Sequence, residues 1–160
     1  MTTGTAPRLR TEVQVMFFDT DCAAVVHNIA YLRFIETART LLAGELGMKL
    51  TEMAETQRYP VVVRTEIDYR RPAKLGDQLV VEGWLDRVDR VRFWCAFRVM
   101  RASDDALIAT CRPILGLRRM PAAELLRLPS GGSSFLAWQN AERTSSCARG
   151  EQRYVPLARR

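Results

Sequence analysis

Two carboxylates, a histidine and an asparagine fall in one short run, Asp19-Thr20-Asp21-Cys22-Ala23-Ala24-Val25-Val26-His27-Asn28, immediately before an apolar stretch that begins at Ile29. At the start of a helix the first N–H groups have no acceptor inside the helix, and the macrodipole adds roughly half a positive charge. Negative charge developing on a substrate oxygen is stabilised at such a place. A carboxylate one short loop away can direct water at the polarised carbon, so the run holds the two complementary parts of acyl hydrolysis. On residue type alone, Asp19 and Asp21 read equally well as loop acids that bond the backbone and start a turn. His27 is the only histidine, which excludes mechanisms needing two, and a serine triad lacks its Gly-x-Ser-x-Gly elbow because the first serine is Ser103.

The flanking periodicities say what must position these groups. Across residues 11–17, Val13, Val15 and Phe17 alternate with Glu12, Gln14 and Met16, the period-2 pattern of a half-buried strand. After the acidic loop, Tyr31, Phe34, Ile35, Ala38, Leu42 and Leu46 recur at spacings of three and four. Asn28 is a good N-cap type and Gly47 a plausible left-handed stop, so the spacing predicts a helix of about five turns. Residues 51–56 read as a further short helix. Four strands follow: Val61, Val63, Thr65, Ile67 and Tyr69 face one way until Arg71-Pro72 and Gly76-Asp77 break the run, then come alternations from Leu79, from Val91 and from Leu107. Short links, among them Ser103-Asp104-Asp105, predict that the last three strands meander antiparallel. The order is that of an α+β layer with one helix on one sheet face. Trp84, Trp94 and Met100 on the other face are too apolar for open water, so a second subunit or a ligand is expected to cover them.

The chain has 160 residues, 48% of them hydrophobic and 26% charged, the profile of one ordinary globular domain. No apolar run approaches the roughly 20 residues of a membrane span, and the N-terminus lacks the apolar segment of a secretion signal, so a cytoplasmic location is expected. Cys22, Cys95, Cys111 and Cys147 show no paired spacing and are expected as free thiols, not zinc ligands. Half of the net charge of +6 sits in residues 130–160, where Gly131-Gly132-Ser133-Ser134 marks a change of character. Residues 1–129 are therefore expected as the folded domain and 130–160 as a poorly ordered basic tail, with a peripheral helix docking through Phe135 and Trp138 as the alternative. What basic charge remains forms a modest rim suited to nucleotide phosphates. Nucleic-acid binding is disfavoured because basic and aromatic residues do not interleave as in a single-strand platform.

The run Phe17-x-Asp19-Thr20-Asp21, followed by Val25-Val26-His27-Asn28-x-x-Tyr31-Leu32-Arg33 and Glu36-x-Ala38-Arg39, resembles the hotdog-fold thioesterases of the 4-hydroxybenzoyl-CoA thioesterase type, including the acyl-CoA thioesterases associated with the Tol-Pal system. The segment from Ile67 to Asp77 is also similar, and the resemblance extends over about residues 11–128. It implies an antiparallel sheet of about five strands wrapped around one long central helix. It implies Asp21 as the catalytic carboxylate, acting as general base on water or as nucleophile, with the backbone N–H of Asn28 as oxyanion donor. His27 takes a supporting or a packing role, Tyr31 lines the pocket or the core, and Glu36 is the fallback base. Ala24 departs from the glycine common at that position; alanine disfavours positive φ and brings a methyl group toward the acyl channel. Arg70, Arg71 and Lys74, with Arg118 and Arg119, are candidates to meet the phosphates of coenzyme A.

The reading that follows is hydrolysis of an acyl-CoA, or less favourably an acyl carrier protein thioester, with no metal or cofactor beyond the coenzyme A of the substrate. The resemblance implies a homodimer with sheets continued between subunits, assembling further to a tetramer. A non-catalytic acyl-CoA or acyl-ACP binding protein is the rival, and a dehydratase of the same fold a third reading without a supporting pattern around His27.

Overall fold

The computed structural model describes residues 8–128. Strand β1 (Arg8–Gln14) leads through a single 3-10 turn (Phe17–Asp19) and a loop to helix α1 (Asn28–Glu45), and α2 (Leu50–Thr56) follows. The remaining strands are β2 (Arg58–Tyr69), β3 (Gln78–Val88), β4 (Phe93–Arg101), β5 (Leu107–Arg119) and the two-residue β6 (Glu124–Leu125). All pairings are antiparallel in the order β1-β3-β4-β5-β2, with β6 added to β5. Tight turns make β3, β4 and β5 the expected meander: Asp89 N–H donates to Arg92 O at 2.8 Å, and Arg101 N–H to Ala106 O at 2.9 Å with Asp105 left-handed at φ 52°. The two helices inserted after β1 send β2 to the far edge.

Helix α1 buries the stripe its spacing predicts, Tyr31, Phe34, Ile35, Ala38 and Leu42, in one cluster with Leu79, Val81, Phe97, Val99 and Ile108 of the sheet. It ends where the glycine predicts. Gly47 lies at φ 83°, Met48 N–H donates to Ala43 O at 2.7 Å and Gly47 N–H to Gly44 O at 2.9 Å, the paired closure that satisfies the last carbonyls. Two helices, not one, accompany the sheet, as the short second run suggests.

Several expectations are corrected. The first strand ends at Gln14, and Phe17, expected inward with Val13 and Val15, is 81% exposed on the 3-10 turn. The Asp19 carboxylate takes Met16 N–H at 2.9 Å and coils the backbone before the alternation completes. In β2 the register shifts between Val62 and Arg64, so Val61, Val62 and Val63 are all exposed instead of alternating. Arginine side chains lie over both tryptophans of the other face. Trp84 lies between the Arg8 and Arg98 guanidinium groups, at 5.4 and 5.5 Å from its ring centre, and Arg87 lies over Trp94 at 4.8 Å.

Cys22, Cys95 and Cys111 are free, and burial pushes the Cys95 and Cys111 thiols up to about 12, so both are small apolar core groups at neutral pH. Cys147 and the expected tail 130–160 lie outside the described residues.

Gly83 is required by a close approach. A Cβ there would stand 2.6 Å from Cδ1 of the fully buried Phe97, whose ring has nowhere to go. Gly83→Ala is expected to destabilise the domain by about 1–3 kcal/mol in urea denaturation with an unchanged m-value.

Candidate functional site

The site begins as a small hairpin. Thr20 pairs with Val26, Asp21 N–H donates to Val25 O at 3.0 Å, and Ala24 N–H returns to Asp21 O at 2.9 Å. Ala24 takes φ 56°, the left-handed value that alanine was expected to resist. The hairpin is held against the segment after β2: Val25 bridges Lys74, Val26 N–H donates to Ala73 O at 2.8 Å and Leu75 N–H to Ala24 O at 3.4 Å. Asp21 sits exposed on it, with Oδ1 accepting Ala23 N–H at 2.8 Å, and its other carboxylate oxygen has no partner among the described residues.

Asp19, two residues earlier, is in the opposite environment. It is 1% exposed, its carboxylate accepts from Met16 N–H and pairs with Arg33 of α1, and its carbonyl accepts His27 N–H at 3.0 Å. The two acids are thus separated by environment, one holding structure and one facing solvent.

The N-cap is His27, not Asn28. His27 has extended backbone (φ −75°, ψ 156°) and its Nδ1 accepts Ala30 N–H at 3.2 Å, so the ring is committed to the helix start. Asn28 is displaced to the first helical position, where its Oδ1 accepts Ile29 N–H at 3.0 Å. The Asn28 N–H itself has no acceptor among the described residues.

Asn28 is one wall of an open groove of about 310 Å³, lined also by Val26, Tyr31, Tyr69, Arg70, Arg71 and Pro72. Arg70 and Arg71 both donate backbone N–H to Ile108 O, at 2.8 and 3.2 Å, which turns the chain out of β2 beside the helix start. The Tyr31 hydroxyl accepts Ala73 N–H at 3.0 Å, and the Tyr31 and Tyr69 rings meet at 5.4 Å. Burial pushes the Tyr31 phenol above its ordinary value.

Of the candidate residues, Asn28, Tyr31, Arg70 and Arg71 are brought together in this groove. Asp21, Ala24, His27 and Lys74 are not among its walls: Asp21 and Ala24 belong to the adjoining hairpin, His27 caps the helix, and Lys74 contributes backbone pairing with an exposed side chain. The basic rim divides, because Tyr69 pairs with Ala109 at one end of β5 and Tyr59 with Arg118 at the other. Roughly 30 Å of strand thus separates Arg118 and Arg119 from Arg70 and Arg71. Glu36 is occupied by Arg39, whose Nε lies 3.1 Å from both carboxylate oxygens. Tyr69, Pro72 and Val26 were missed as groove walls. The Arg71-Pro72 break was the one sequence signal that the chain turns there.

Residues 15–153 match the thioesterase-like superfamily. The chain belongs to that superfamily. Among curated relatives it is 38% identical over 90 residues to the acyl-CoA thioesterase YbgC of Haemophilus influenzae, covering 56% of this chain and 66% of the relative. With the putative acyl-CoA thioesterase YneP of Bacillus subtilis it shares 31% over 75 residues, 47% of this chain and 54% of the relative. These matches span less than two thirds of each relative. The fold is that of solved thioesterases. A 1,4-dihydroxy-2-naphthoyl-CoA thioesterase from Synechocystis superposes with a TM-score of 0.71 at 24% identity, over 84% of this chain and 95% of that one. A DHNA-CoA thioesterase from Staphylococcus aureus gives 0.72 at 18%, over 88% and 91%. The superfamily is thereby placed on the antiparallel sheet and helix pair described above, and no helix among the described residues is long and apolar enough to cross a membrane.

Proposed function

We propose that the protein hydrolyses an acyl-CoA thioester to the free acid and coenzyme A, as a cytoplasmic enzyme of the 4-hydroxybenzoyl-CoA thioesterase type. The observation that carries the reading is an Asn28 N–H with no acceptor among the described residues, at a helix start whose Asn28 lines a groove, one short hairpin away from an exposed carboxylate. A thioester carbonyl seated at that N–H gains stabilisation as its oxygen becomes negative. Asp21 then activates water or attacks the carbonyl itself. Arg70 and Arg71 flank the groove where phosphates of the nucleotide would lie, and Tyr31 and Tyr69 form its ring-bearing wall. A thioester is already electrophilic, so the proposed chemistry needs no metal or cofactor, only placement. The names of the curated relatives, acyl-CoA thioesterases, support this substrate class. An acyl carrier protein thioester is the second choice of substrate.

We further place the working site in a homodimer, with two dimers forming a tetramer. Strand β2 is an unpaired sheet edge that exposes Val61, Val62 and Val63 in succession, a surface that natural edges avoid leaving open. Pairing of two such edges continues the sheet and brings a second subunit toward the groove at the end of β2. Sedimentation is expected to give at least twice the 18.2 kDa chain mass. The combined Val61→Lys and Val63→Lys protein is expected to dissociate at least about tenfold more readily, because like charges would face each other across the join.

The rival reading, a binding protein without turnover, is favoured by one observation: Asp21 is not among the walls of the groove in a single chain. Release of free thiol from a panel of aliphatic and aromatic acyl-CoAs separates the two. Tight acyl-CoA binding with no thiol released from any of them establishes the binding protein instead.

A further inference from the structure

We propose that the pair between the buried Asp19 and the solvent-facing Arg33 is a positioning device: it fixes the hairpin of residues 20–26 to helix α1 and so sets Asp21 relative to the Asn28 N–H. The catalytic part of this inference rests on the hydrolysis reading, whereas the clamping part does not.

Asp19 is the one charged side chain buried among the described residues. Its partner Arg33 is half exposed, and an ion pair screened by solvent on one side is a poor source of net stability. What the pair supplies here is connection. The carboxylate reaches back to Met16 N–H, two residues past β1, and across to Arg33, while the Asp19 carbonyl accepts His27 N–H on the far stem of the hairpin. One residue therefore joins the segment after β1, both stems and helix. Arg33 is held in turn, its guanidinium lying over the Phe18 ring at 5.1 Å and the Phe34 ring at 5.2 Å. The pair spans the loop from outside: Asp21 and Asn28 lie on either side of the hairpin tip, inside the interval from 19 to 33. Misplacement by about an ångström at reacting groups is enough to cost on the order of a hundredfold in rate.

Asp19→Asn tests this with little change of shape. One amide oxygen still accepts from Met16 N–H, but an NH2 group now confronts the Arg33 guanidinium. Two readouts are expected. Amide hydrogen exchange at residues 21, 24 and 26 accelerates at least about tenfold while exchange in β3 to β5 is unchanged. Turnover per folded molecule falls about ten- to a hundredfold with KM within about threefold, and Asp19→Asn in an Asp21→Asn background slows the reaction no further. Arg33→Lys, which keeps the charge, stays near wild type in both readouts, and Arg33→Gln behaves as Asp19→Asn. Unchanged loop exchange in Asp19→Asn overturns the proposal whatever the activity. Rate losses that multiply in the double variant overturn it too, because Asp19 would then act independently of Asp21. Full turnover in Asp21→Asn alone removes Asp21 from the mechanism, and no thiol release from the wild type defeats the hydrolysis reading; in either case the exchange measurement still decides the clamp.

Discussion

Asp21→Asn is expected to release thiol from acyl-CoA at least about a hundredfold more slowly than the wild type, with KM little changed. Loss of a positioned general base removes about two to four orders of magnitude, and loss of a nucleophile removes at least as much. The substitution isolates charge from shape. Asn keeps a side-chain oxygen to accept Ala23 N–H, so the turn of the hairpin survives, and at an exposed position the melting temperature should hardly move. A rate equal to wild type on every substrate hydrolysed would eliminate Asp21 from the mechanism. Glu36 could not simply take its place, since Arg39 already occupies both of its oxygens.

Deleting a single backbone N–H is the sharper experiment, and the helix start permits it. Asn28 is the first helical residue, where proline is tolerated because its missing N–H has no acceptor in the helix. The residue before it, His27, already has the extended backbone that precedes proline most comfortably. Asn28→Pro is therefore expected to fold normally while kcat falls about a hundred- to a thousandfold, the loss typical of one oxyanion donor at about 3–4 kcal/mol. Asn28→Ala is the matched control: it keeps the N–H, loses only the side-chain bond to Ile29 N–H, and should remain within about threefold of wild type. Equal activity in the two variants would remove the helix start from the chemistry. A rise in KM with kcat preserved would show instead that the proline ring merely narrows the groove.

The helix, its glycine stop and the three-strand meander were legible in the chain because each rests on local patterning: an apolar stripe at three and four, a left-handed Gly47, short polar links. The errors arose where a polar contact or a shift of strand register overrode the pattern. Phe17 continues the alternation of β1, yet the Asp19 carboxylate coils the backbone beneath it. Val63 fits a period of two, but the register of β2 on β5 shifts there. Asn28 and His27 are both able caps, and propensity favours the first; which one reaches Ala30 N–H is decided by the path of the loop, itself fixed by its pairing with residues 73–75. The groove was half legible. Its helix side and its two arginines follow from the motifs, whereas Tyr69 and Pro72 are brought in because the neighbouring Arg70 and Arg71 N–H groups bond Ile108 O, a partner far along the chain.

Ala24 turns left-handed although its methyl group makes that conformation about 1–2 kcal/mol less favourable. Its shape is imposed from outside, by Thr20 against Val26 and Val25 against Lys74. On warming, such a segment is expected to let go before the sheet that carries it, and if the proposed hydrolysis depends on it, turnover ends while most of the protein is still folded.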